Sequence, residues 1–81
     1  MQTGTDTRAS ASGTIVAAQE GRFKLACTDG RYKFFVLAHG AAQQPQDLAP
    51  LVDSGMVVVD YSELPGRIAG LAHRIDRAPD R

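Results

Sequence analysis

Between Gly13 and Ile75 the chain alternates short apolar runs with turn residues, and the runs read as strands rather than helices. Thr14 to Gln19 (TIVAAQ) is an apolar run bounded by Gly13 and by Glu20-Gly21. Arg22 to Thr28 alternates, with Phe23, Leu25 and Cys27 set against Arg22, Lys24 and Thr28. Asp29-Gly30 follows, and then Arg31 to Ala38 (RYKFFVLA). An Asp-Gly pair between two alternating runs predicts a type I′ hairpin, whose two central residues both take positive φ. That register sets Cys27 opposite Tyr32, Leu25 opposite Phe34 and Phe23 opposite Val36. These side chains then form a core face. The outer face is left with Arg22, Lys24, Thr28, Arg31, Lys33, Phe35 and Leu37.

Gln46 to Gly55 (QDLAPLVDSG) predicts a short helix, with Asp47 as N-cap and Pro50 inside the first turn, where it is tolerated. Leu48, Leu51 and Val52 recur at helical spacing, and Gly55 ends the segment. Met56 to Ser62 predicts a fourth strand with Val57, Val59 and Tyr61 inward. Leu64-Pro65-Gly66 turns the chain, and Arg67 to Ile75 predicts a fifth strand, with Gly70 a candidate bulge. Residues 1–12 hold only small, polar and charged side chains after the initiator, which predicts a disordered tail. The domain is then expected over 13–76, with a frayed end over 77–81. The order β-β-β-α-β-β predicts an all-β fold: a five-stranded OB-like barrel with a short helix between strands 3 and 4. Closure also hides the strand edges that a small open sheet would expose. An SH3-like barrel is the structural rival, and it requires residues 46–55 to be a loop.

Composition narrows the function. The 81 residues suit one domain, and nine Lys plus Arg balance nine Asp plus Glu, so no global field attracts nucleic acid. The charges are nevertheless segregated. Glu20 to Lys33 carries Arg22, Lys24, Arg31 and Lys33 against Glu20 and Asp29, whereas Asp47 to Glu63 is acidic with no basic residue. Cys27 is the only cysteine, and no apolar signal segment follows Met1, so the expected location is a reducing cytoplasm. No run approaches the roughly 18 apolar residues of a membrane span. The sequence offers no nucleophile motif and no Gly-rich phosphate loop, and Asp60 and Glu63 are spaced as carboxylates often are by chance. His39, His73 and Cys27 lack metal-ligand spacing. The expectation is a non-enzyme with no cofactor and no metal.

Particular segments carry a family likeness. EGRFKL, Glu20 to Leu25, resembles the first ribonucleoprotein motif of bacterial cold-shock proteins, and FFVL, Phe34 to Leu37, resembles the second. RFKLACTDGR followed by LAHG is similar to the second and third strands of bacterial translation initiation factor one and of S1 domains. MVVVDYSELPGRI resembles the end of that pattern, including Gly66, Arg67 and Ile68. The resemblance implies an OB fold whose second and third strands bind single-stranded nucleic acid. In the cold-shock pattern outward aromatics stack on bases. Phe35 fills one such place, Arg22 and Lys24 stand where two more rings are expected, and Leu37 replaces a histidine. Ala41 to Pro50 has no basic residue where the initiation-factor pattern is strongly basic, so ribosome docking is not implied.

Taken together, the sequence predicts a small protein binding single-stranded RNA or DNA through Arg22, Lys24, Arg31, Lys33, Phe35, Leu37 and His39. Arg22 can stand in for a ring, because a guanidinium also stacks on bases. The alternative is a protein-interaction module in which Phe35 and Leu37 form the hot spot and the basic residues its rim. The plainest reading is that these charges only solvate an outer face. All of them turn on Phe35, which is expected to be exposed between Lys24 and Lys33, with Phe23, Phe34 and Cys27 buried.

Overall fold

The structure, a computed structural model, describes residues 8–63 and 69–78. Five strands follow one another: β1 (Arg8–Gln19), β2 (Arg22–Cys27), β3 (Tyr32–Leu37), β4 (Met56–Glu63) and β5 (Gly70–Arg77). They form one sheet that closes into a ring in the order β1-β2-β3-β5-β4. All neighbours are antiparallel except β3 and β5, which run parallel. The all-β class is as expected. The turn predicted at Leu64-Pro65-Gly66 and the strand start predicted at Arg67 lie outside the described residues. So do residues 1–7 and 79–81. No helix among the described residues is long and apolar enough to cross a membrane.

The first strand is longer than its composition suggested. Residues 8–12, read as tail, pair with β4 in a ladder running from Arg8 opposite Ser62 to Thr14 opposite Met56. Ala9 and Ala11 pack against the core. At Gly13 the strand is shared, pairing with Val57 of β4 on one side and Cys27 of β2 on the other. A Cβ placed there would lie 2.1 Å from the Ala26 carbonyl oxygen, so only glycine permits the approach. Val16 is the extra residue of a bulge between Ile15 and Ala17.

The β2–β3 register differs by one residue from the predicted register. Phe23 stands opposite Phe35, Lys24 opposite Phe34 and Ala26 opposite Tyr32. The turn is not a two-residue type I′ loop, because Asp29 keeps negative φ and only Gly30 is left-handed, at +91°. The Cys27 N–H donates to the Arg31 carbonyl at 2.7 Å and the Gly30 N–H to the Cys27 carbonyl at 3.0 Å, so Thr28, Asp29 and Gly30 make a three-residue loop. The Asp29 carboxylate caps it by accepting from the Arg31 N–H at 3.0 Å. With a side-chain period of two, this one-residue difference exchanges the faces of β3.

Phe35 is accordingly 0% exposed, stacked on Phe23 at 5.1 Å between centroids and edge-on to Tyr61 at 5.0 Å. Gly70 makes room for this cluster, since a Cβ there would sit 3.0 Å from the Tyr61 ring and 3.1 Å from that of Phe35. The bulge expected at Gly70 lies instead at His73, between the pairs Asp60–Arg74 and Tyr61–Ala72. Ile15, Leu25, Val57, Val59, Ala72 and Ile75 complete the interior.

The short helix predicted between β3 and β4 is present in 3₁₀ form, as two turns, Pro45–Asp47 and Ala49–Leu51, rather than as one α-helical segment over 46–55. A proline in each turn removes an N–H donor, which suits such short pieces. The turns bring Leu48 into the core with Leu51 and Val52 against it. Pro45 lies over the β1–β2 turn, 3.5 Å from where a Gly21 Cβ would be. The apolar plug is therefore at one end of β2, opposite the Thr28–Gly30 loop.

Candidate functional site

Registered residues on adjacent strands share a face, so the ladders define rows across the outside of the ring. One row runs Gln19, Arg22, Val36; the next Ala17, Lys24, Phe34; the third Thr14, Ala26, Tyr32. Along β3 these rows set Tyr32, Phe34 and Val36 in one exposed stripe, with Tyr32 62% and Phe34 49% exposed. The Lys24 ammonium lies over both rings, 4.6 Å from the Tyr32 centroid and 5.7 Å from that of Phe34. Arg22 is exposed beside Val36. The first two rows floor an open depression of about 690 Å³, which Ala69 also lines.

The predicted site residues divide. Arg22 and Lys24 lie on this outer face as expected. Phe35 does not, being fully buried, so the expected flanking by Lys24 and Lys33 is incorrect. Leu37 is partly buried against the core. Lys33 points to the same side as Phe35, with its ammonium 5.2 Å from the Tyr61 ring and 3.6 Å from the Glu63 carboxylate. Arg31 and His39 are exposed outside the strands. Tyr32, Phe34 and Val36, assigned to the core from sequence, are the residues that the reading missed. No local signal marked them, since the choice of face is made across the ring, where Gly70 leaves room for the Phe35 ring.

A second depression, of about 460 Å³, opens at the far end of the ring from Leu48. Cys27, Lys33 and Tyr61 line its inside, with Thr28, Asp29 and Arg31 among the residues at its rim. Cys27, expected to be buried opposite Tyr32, is only partly buried and stands opposite Arg31. Burial pushes its thiol pKa up, the Asp29 carboxylate adds to this, and the Lys33 ammonium opposes it. On the outer side of β4 and β5, Ser62 Oγ and His73 Nε2 are hydrogen-bonded at 2.7 Å.

Among the described residues no group of three or more His, Cys, Asp or Glu side chains is placed to hold a metal ion. Comparison with protein-family models, curated proteins and solved structures gives no match.

Proposed function

We propose that the chain is an OB-type barrel that binds single-stranded nucleic acid on the outer face of β2 and β3. One observation carries this reading: a lysine ammonium poised over two adjacent exposed rings, Tyr32 and Phe34. Rings offer flat surfaces on which bases stack, at about 1–3 kcal/mol each, and the ammonium supplies a phosphate contact between them. Arg22, one row further on, adds a second cation next to Val36. The strand order, with a β1-β2-β3 meander and a parallel β3–β5 contact, supports the OB assignment.

Spacing restricts the ligand. Residues two apart on a strand are roughly 6.6–6.8 Å apart, about twice the 3.4 Å per nucleotide of a stacked strand. Bases resting on Tyr32 and on Phe34 must therefore be unstacked from each other, which a duplex forbids.

The test is a fluorescence-anisotropy titration with single-stranded DNA and RNA and with a duplex, at low and moderate salt. Single strands are expected to bind and the duplex to bind more weakly. Absence of any binding at low salt overturns the reading. If a pull-down on the same face then survives nuclease and is lost on Phe34→Ala, the face is a protein-interaction surface instead.

A further inference from the structure

The polar depression at the Thr28–Gly30 end of the ring has chemistry that the stacking face does not use. Tyr61 is only 7% exposed, it lines this depression, and its phenol has no hydrogen-bond partner among the described residues. A buried phenol of this kind normally finds a partner. Lys33 enters from the interior side of β3, and Arg31 stands at the rim with a guanidinium that makes no ion pair among the described residues. Of the nearby carboxylates, Glu63 is balanced by an ammonium, and Asp29 keeps its charge at the rim, where Arg31 stands between it and the interior cation along the chain. Asp29 accepts from the Arg31 N–H, and Glu63 is paired with Lys33.

We propose that this depression takes a phosphate monoester, with Arg31 and Lys33 as the charge partners and Tyr61 as the neutral donor. A guanidinium offers the paired donors that suit a tetrahedral oxyanion, and an ammonium adds a point charge. Glu63 competes for Lys33, so the site favours a doubly charged terminal phosphate over the singly charged diester of a chain interior. Tyr32 links the two regions, because it both ends the exposed stripe and lines the depression. A strand lying along Val36, Phe34 and Tyr32 delivers its end there. This source of the phosphate rests on the strand-binding reading, whereas the anion chemistry of the pocket stands apart from it.

The experiment is competition against a labelled probe by three unlabelled hexanucleotides of one sequence, with a 5′-phosphate, a 3′-phosphate or hydroxyls at both ends. One phosphorylated end, and not the other, is expected to bind roughly tenfold tighter than the hydroxyl form. Arg31→Gln and Tyr61→Phe should bring that ratio toward one, and Glu63→Gln should raise it. An equal gain at both ends, or none, overturns the proposal, since unspecific attraction has no polarity along the strand. If no hexanucleotide binds at all, the stacking reading has failed, and the pocket is judged with phenyl phosphate alone. Shifts of the Cys27, Thr28 and Arg31 amide resonances then support it, and their absence at millimolar phenyl phosphate overturns it.

Discussion

The carboxamide of Gln43 binds the backbone of Ile75 twice, donating from Nε2 to the carbonyl and accepting the N–H at Oε1, each at 2.8 Å. It does so beyond the point where β3 stops pairing with β5, for that ladder holds only Phe35 to Leu37 against Gly70 to Ala72. One side chain thus continues the seam as a strand residue would. Gln43→Ala is expected to cost about 1–3 kcal/mol, because it strands two backbone groups at a partly buried position. Urea denaturation of the two proteins measures this, and unchanged midpoints would mean that water replaces the amide.

Phe34 and Phe35 are neighbours on opposite faces of β3, so their alanine variants should separate cleanly. Phe35→Ala empties the centre of the core and is expected to destabilise the fold by about 3–5 kcal/mol. Phe34→Ala should leave thermal stability nearly unchanged and weaken oligonucleotide binding by about 1–3 kcal/mol at fixed salt. The reverse pattern would restore the type I′ register.

In the proposed strand-binding mode Lys24 acts through its charge. Lys24→Gln is expected to flatten the dependence of log K on log salt by just under one, the contribution of roughly one phosphate contact. Titrations at several salt concentrations give the slope directly. A uniform loss of affinity at unchanged slope would place the phosphate elsewhere.

The Cys27 thiol is held protonated by burial and by Asp29. Below its ordinary pKa both folded and unfolded chains keep the proton, and the thiol adds no pH dependence. Above that value the unfolded chain ionises more readily, so stability declines as the pH rises toward the folded-state pKa. Denaturation across the alkaline range should therefore fall less steeply in Cys27→Ala than in the parent. Native labelling by thiol reagents near neutral pH should also be slower than for a free cysteine.

Gly13→Ala drives a methyl group into the Ala26 carbonyl. The expected loss is about 1–3 kcal/mol or more, because backbone rather than a mobile side chain must move. A thermal melt indistinguishable from the parent would show that β1 can shift away from β2.

Much of this was legible from period alone. Phe23 and Leu25 on β2 alternate with Arg22 and Lys24, Tyr61 on β4 stands between Asp60 and Ser62, and Val57 and Val59 share its parity; all five are buried as read. The face of β3 was not legible, for either parity of RYKFFVLA turns aromatic residues inward. Asp29-Gly30 suits a two-residue or a three-residue loop equally well. The choice is made across the ring, where Gly70 leaves space for Phe35, and no local pattern carries that information. The start of β1 was hidden because Ala9 and Ala11 are small enough to look like tail yet large enough to pack beneath β4. Gln43 leaves no trace at all, since it acts as a strand residue through its side chain. The candidate face consequently kept Arg22 and Lys24, lost Lys33 to the interior side and changed its rings.

The shared position at Gly13 also sets an order of assembly. From Ile15 onward β1 pairs only with its immediate successor β2, whereas residues 8–12 wait for β4, and Gly13 and Thr14 pair with both. The local β1-β2-β3 meander can form early, but the ring shuts only when segments distant in the chain meet. Contacts of such long sequence separation slow folding. Until then the edge of residues 8–12 stays open to other chains, and a ribosome emitting the protein exposes that edge for most of the time the chain takes to emerge.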